Sequence, residues 1–174
     1  MSDFYFDFDP TDHFTLGALG EPGQRTFFLQ AGRGIEFVSM ICEKEQMRAL
    51  SEGLLSLLEQ VEEIYHPPHR ERAKPYEFGL VEPVIPAWRI AQLGVGYDEE
   101  RDRVIVVVQE LVEEGEVAEV ARFTLTRAHA EAFAYHALSV VSAGRPTCPF
   151  CGEPIDPQGH FCTRSNGHTR SYVQ

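Results

Sequence analysis

The chain has 174 residues, 43% of them hydrophobic and 24% charged, enough for one well-packed domain with a small appendage and too few for two ordinary domains. No apolar run approaches the roughly 18 residues of a membrane span, and the first ten residues, MSDFYFDFDP, hold three Asp and no Lys or Arg, which argues against a signal peptide and predicts a cytoplasmic protein with reduced or metal-bound thiols. The net charge of −12 is uneven: residues 144–174 carry Arg145, Arg164 and Arg170 against Glu153 and Asp156, so residues 1–143 carry −13 and repel phosphate backbones.

From the N-terminus, HFTLGALG, RTFFLQA and IEFVSMI read as three short strands rich in Phe, Thr, Ile and Val. GEPGQ sets Pro22 before Gly23, the pair a type II turn takes at its centre, and AGRG supplies the next reversal. From Glu43 the period changes. Met47, Leu50, Leu54, Leu57, Leu58, Val61 and Ile64 recur every three or four residues and predict a helix that stops before Pro67. Residues 65–86 hold five prolines, so no long regular element is expected there.

The second half follows the same plan. AWRIAQLGVGY, RVIVVVQELV and AEVARFTL read as strands, and Ala130, Phe133, Ala134, Ala137, Leu138 and Val141 line one face of a second helix, with Thr126 as N-cap and Gly144 at the C-cap. VIVVV, apolar at consecutive positions, predicts a strand buried on both faces. LGALG in the first half is echoed by LGVGY in the second. The expected fold is α+β: two pseudo-repeated βββα units forming a mainly antiparallel six-stranded sheet or barrel with two helices, followed by a zinc-knuckle tail. The expected domains are a body over 1–144, with halves at about 11–64 and 87–144 joined by the Pro-rich segment 65–86, and a tail over 145–174.

The tail reads RPTCPFCGEPIDPQGHFCTRSNGH. Cys148 and Cys151 can turn two thiolates onto one ion, and Gly152 permits the backbone to aim N–H groups at the sulfurs. His160 and Cys162, alternate residues of an extended segment, can supply the other half of a tetrahedral shell. Cys148, Cys151, His160 and Cys162 are thus the expected ligands of a closed, structural Zn²⁺ site, with His168 as an alternative to His160. A redox reading of the C-x-x-C is disfavoured because proline precedes and follows it and no helical pattern starts there. Cys42 reads as a small buried residue, and His66 and His69 as surface histidines of a linker.

Other chemistry is thin. The chain lacks G-x-G-x-x-G, a phosphate loop, H-E-x-x-H and G-x-S-x-G. Arg25 and Lys44, with Glu43, Glu45 and Gln46 nearby, are candidates for an anion-binding cleft, but turn solvation and helix-surface pairing explain them as well. The tail mixes Arg145, Arg164 and Arg170 with Phe150, Phe161 and Tyr172, a composition that single-stranded nucleic acid also uses.

EPGQRTFFLQA, EKEQ and the ending AGRPTCPFCGEPIDPQGHFCTRSNG together resemble domain-of-unknown-function family 3090, uncharacterised bacterial proteins common in actinobacteria, over nearly the whole chain. The four expected ligands fall on the family's tail motif. Members often have Tyr where this chain has His168, which favours His160 as the ligand. Thr163 departs from the family's usual Cys-Pro-Arg ending, a change that leaves coordination unaffected. The resemblance implies no activity; family genes often lie beside those for a kinase-like and a histidine-phosphatase-like protein. The expected function is a non-catalytic, zinc-stapled module that binds a protein partner rather than nucleic acid or membrane; the alternatives are an enzyme or anionic-metabolite binder, and RNA binding through the tail.

Overall fold

The computed structural model describes residues 3–21, 23–68, 75–143, 148–153, 155, 160–162, 164 and 170–171. In chain order the strands are β1 (Phe6–Phe8), β2 (His13–Leu19), β3 (Thr26–Arg33) and β4 (Glu36–Cys42), followed by α1 (Lys44–Tyr65). Then come β5 (Pro86–Asp98), β6 (Arg103–Glu110), β7 (Val120–Leu125) and α2 (Arg127–Ser142), and in the tail β8 (His160–Phe161) and β9 (Arg170–Ser171). The chain divides into two compact units, residues 1–19 with 26–141, and residues 20–25 with 142–174.

In the first unit two antiparallel meanders, β2-β3-β4 and β5-β6-β7, join through a parallel β4–β5 pair, and β1 adds in parallel to β7. The result is a mixed seven-stranded sheet ordered β1-β7-β6-β5-β4-β3-β2. It has one strand more than the expected six, and four of its six pairings are antiparallel. The extra strand is only three residues of FDF, too short to carry a period, and it is held by the register Phe6↔Ala121 to Phe8↔Phe123 and by the Arg122–Asp7 ion pair at 2.7 Å. Each meander is followed by one helix, and LGALG lies at the end of β2 and LGVGY within β5.

The sheet has to curl. Six inter-strand gaps of about 4.8 Å would put the edges of a flat sheet about 29 Å apart, yet residues 9–12 join edge strand β1 to edge strand β2 and reach at most about 18 Å. Thr11 N–H donates to Thr124 O of β7 (2.9 Å) and Asp12 N–H to Gly32 O of β3 (2.9 Å), so this link is bonded to both ends of the sheet.

One face of the strands supplies Phe14, Leu16, Leu29, Met40, Ile90 and Phe123 to a single core, with Met47, Leu50, Leu54 and Leu58 from α1 and Ala130, Phe133 and Ala137 from α2. β6 is fully buried on that face only: Val104, Val106 and Val108 are inaccessible, whereas Ile105 and Val107 are half-buried, so the expected burial on both faces does not hold. Thr126 caps α2 through its Oγ1, which accepts from His129 N–H at 3.1 Å. At α1, Gln46 Oε1 accepts from Glu43 N–H (2.8 Å), and His66 ends the helix in the left-handed region with φ 44. The C-cap expected at Gly144 lies outside the described residues.

The Pro-rich segment does more than connect. On the opposite face of the sheet Thr15, Gln30 and Ser39 form a buried polar row across β2, β3 and β4. Residues 76–81 cover it. Thr15 Oγ1 donates to Phe78 O (2.6 Å), and Gln30 both accepts from Val81 N–H (2.8 Å) and donates to Val81 O (2.9 Å) and Ser39 Oγ (3.0 Å). Leu80 fills the space where a Cβ at Gly17 would stand. Tyr76 stacks on His129 at 4.1 Å and Phe78 on His136 at 4.4 Å, which anchors this strap to α2 as well. A buried amide must be bonded on both its donor and acceptor sides, and the strap's backbone satisfies Gln30 on both.

Candidate metal centre

In the second unit CPFCG folds into a tight knuckle. Gly152 N–H donates to Cys148 O (2.9 Å) and Cys148 N–H to Glu153 O (2.8 Å), and Gly152 has φ 76, a conformation that glycine adopts without strain. The N–H groups of Cys151 and Phe150 point at the Cys148 sulfur and lower its pKa, which favours the thiolate. At Cys151 the Glu153 N–H pulls the pKa down, but burial and the two neighbouring sulfurs outweigh it, and the net direction is up. A cation among the sulfurs would offset the repulsion between them.

The other half of the centre is a two-stranded hairpin. β8 pairs with β9 in the register His160↔Ser171 and Phe161↔Arg170, and His160 and Cys162, two residues apart, face the knuckle together. The ligand atoms of Cys148, Cys151, His160 and Cys162 all lie within 4.8 Å of one another. Cys148 Sγ stands 3.7 Å from Cys162 Sγ, and Cys151 Sγ stands 3.6 Å from His160 Nε2.

Two of those separations suit a four-coordinate metal shell. With Zn–S near 2.3 Å and Zn–N near 2.05 Å, tetrahedral angles require about 3.8 Å between sulfurs and about 3.6 Å between sulfur and nitrogen. A disulfide would need about 2.05 Å, and all four cysteines are free. Three sulfurs and one imidazole can therefore hold a metal ion in a four-coordinate shell. Cys148 and Cys162 are buried with Ile155 in a small cluster, and Cys151 and His160 are half-buried. Between the ligands, Phe150 and Phe161 point outward, 60% and 62% exposed.

The remaining sequence candidates are dispersed. His168 and His69 lie outside the described residues, and His66 is exposed at the end of α1. Cys42 is buried and its thiol is pushed up to about 12 by desolvation, an inert packing residue. Arg25 belongs to the second unit and Lys44 to the first. A groove of about 250 Å³ lies between α1 and β5, lined by Ala49, Leu50 and Gly53 on one side and Ala91, Leu93 and Val95 on the other, with Gln46 at one end. It is apolar, and neither Arg25 nor Lys44, the candidates for an anion-binding cleft, lines it. Its sequence signal is the pairing of small residues one helical turn apart, Ala49 and Gly53, with the glycine-rich run LGVG. No helix among the described residues is long and apolar enough to cross a membrane.

A family model described as "Protein of unknown function (DUF3090)" matches residues 6–162, a span that includes the sheet, both helices and all four clustered ligands. Neither the curated proteins nor the solved structures contain a match.

Proposed function

Because the chain belongs to the DUF3090 family, a family of unknown function, membership brings no activity with it, and we propose from the chemistry of the centre that the protein is a zinc-binding interaction module. One structural Zn²⁺ is held by Cys148, Cys151, His160 and Cys162, and it fixes the shape of a tail that contacts a protein partner in the cytoplasm. The observation that carries this reading is the agreement of the 3.7 Å and 3.6 Å ligand separations with a closed tetrahedral shell. A zinc ion with four protein ligands has no position for substrate or water, so its role is to organise a surface. Phe150 and Phe161, each between two ligands in sequence, belong to that surface. The body folds as a unit separate from the tail, and its two meander-plus-helix halves descend from one duplicated βββα unit, a reading supported by their shared order of elements.

The test is X-ray absorption at the zinc edge on protein purified without added metal. One zinc per chain with three sulfurs and one nitrogen is expected. A shell containing a water oxygen, or a metal-free protein with an ordered tail, would overturn the structural assignment. Affinity capture from native cells, with Cys151→Ser alongside, then tests the interaction: a partner retained equally by both proteins would show that the zinc-held tail is not what binds it.

A further inference from the structure

β5 outruns the strand beside it. β4 pairs with β5 only over Ser39–Ile41 and Pro86–Arg89, because β4 ends at Cys42 and the chain turns at once into α1. From Gln92 to Asp98, β5 pairs with β6, and among the described residues no strand pairs with its other edge. An antiparallel ladder uses the backbone groups on one side of a strand, and those on the other side are left to find partners elsewhere. Proteins usually blunt such an edge with Lys, Pro or an inward charge. Gln92–Tyr97 reads QLGVGY and contains none of these. Among the described residues the start of the edge is closed, where Gln46 Nε2 donates to Ile90 O (3.1 Å) and Ala91 O (3.2 Å) at a bulge.

The open stretch borders the groove between α1 and β5. Ala49 and Gly53 stand one turn apart on the same flank of the helix, and a Cβ built at Gly53 meets nothing within 4 Å. Across from them Leu93 is half-buried and Val95 is 38% exposed. A helix flank and an open strand edge are the two walls by which strand addition binds an extended peptide: the peptide backbone joins the edge and alternate side chains enter the groove. Small apolar side chains fit about 250 Å³. The charge of the two elements that bear the walls selects the rest. α1 carries five glutamates against Lys44 and Arg48, and β5 with its following turn carries Asp98, Glu99, Glu100 and Asp102 against Arg89 and Arg101, a net of −5.

We propose that the groove between α1 and β5 binds an extended, basic segment of a partner protein as an added strand along Gln92–Asp98, with small apolar side chains between Ala49, Gly53 and Val95. This site is independent of the metal centre. It is tested with a display library of random linear heptapeptides panned on the full-length chain, with Gly53→Leu as the competitor. Leucine there fills the groove, replaces the glycine of a helix interior with a better helix former and meets no neighbour at its Cβ, so the variant should melt no lower than the parent. If it does melt lower, Ala49→Phe, at an exposed position, blocks the same groove.

Enriched peptides should alternate small apolar residues with Lys or Arg, bind the parent at least tenfold more tightly than the blocked variant, weaken with salt and slow amide exchange over Gln92–Asp98. No enrichment, acidic enriched sequences, or peptides that bind parent and blocked variant equally would overturn the proposal. So would sedimentation showing that the parent dimerises at micromolar concentration and the blocked variant does not, because a second copy would then be the occupant.

Discussion

The two units are held together by different physics. In the first, one cluster of large side chains from seven strands and two helices excludes water, with Phe14, Phe123 and Phe133 packed ring against ring at 4.5 to 5.7 Å. In the second, the cluster buried among the described residues is Cys148, Ile155 and Cys162 with Cys151 against it. Three of those four are ligands. Burying one isoleucine contributes about 1.5–3 kcal/mol, far less than the roughly 1–2 kcal/mol per residue needed to order the backbone of a ribbon of this length. With so little buried by its described residues, a bound metal would be the largest contribution to the shape of this unit.

The sharpest way to break that comparison is to remove the proposed metal. Structural zinc in small peptides contributes on the order of 10–16 kcal/mol of folding free energy at neutral pH, so chelation or Cys151→Ser should remove amide-exchange protection from residues 148–162. The first unit should keep its cooperative thermal transition, as should a chain truncated after Thr147. Loss of the body's transition along with the metal would show that the two units are one thermodynamic system.

The converse cut comes next. Phe133→Ala empties a fully buried site between strand and helix and should lower the body's stability by about 3–5 kcal/mol in urea denaturation, while zinc stoichiometry stays at that of the parent protein. A variant that loses zinc along with stability would again tie the units together.

Acid acts on the body through a particular group. His129 is buried under Tyr76, and desolvation lowers its pKa to about 4, against 6.5 in the unfolded chain. Above about pH 6.5 the imidazole is neutral in both states and the full stability is present. Below it the unfolded chain takes up a proton that the folded chain refuses until about pH 4, so stability falls by about 1.4 kcal/mol per pH unit and by about 3 kcal/mol over the window. Asp102, held low chiefly by its hydrogen bond from Arg127 and also by the one from Tyr97, adds a loss in the same direction as it protonates. Urea midpoints measured from pH 7 to 4 should fall steadily, and His129→Gln should flatten the slope; an unchanged slope would remove His129 from the account.

Much of this was legible in the sequence, and the exceptions have common causes. Both helices are visible as a period of 3.6, and six of the seven main-sheet strands as short runs rich in β-branched and aromatic residues. The four clustered ligands are visible because metal coordination needs particular residue types at short spacing. β1 was missed because three residues cannot display a period, and it is held by partners more than a hundred positions away, Arg122 with Asp7 among them. The strap was missed for a different reason. Prolines correctly announce irregular backbone, but irregular backbone can still be docked, and the hint was on the other side of the contact: Thr15, Gln30 and Ser39 are polar residues at interior positions of strands that need partners. Gln30→Leu tests this. It leaves Val81 N–H without its acceptor, and should cost about 1–3 kcal/mol and raise amide exchange at Val81 selectively.

The smallest stability effect should come from the tail's outward aromatics, and its smallness is the informative part. Phe150 and Phe161 are more than half exposed although each lies between two ligands in sequence. If they serve only to shield the sulfurs, Ala at both positions should loosen the centre, which would appear as faster zinc transfer to a chromogenic chelator. If they belong to a contact surface, the ligand shell is indifferent to them. Removal of exposed side chains away from any buried feature then changes stability by no more than about 0.5 kcal/mol, the zinc transfer rate stays that of the parent, and capture of the partner from native cells is lost. The double variant Phe150→Ala with Phe161→Ala therefore separates the two roles by rate and by capture, and the proposed interaction function requires unchanged rate with lost capture.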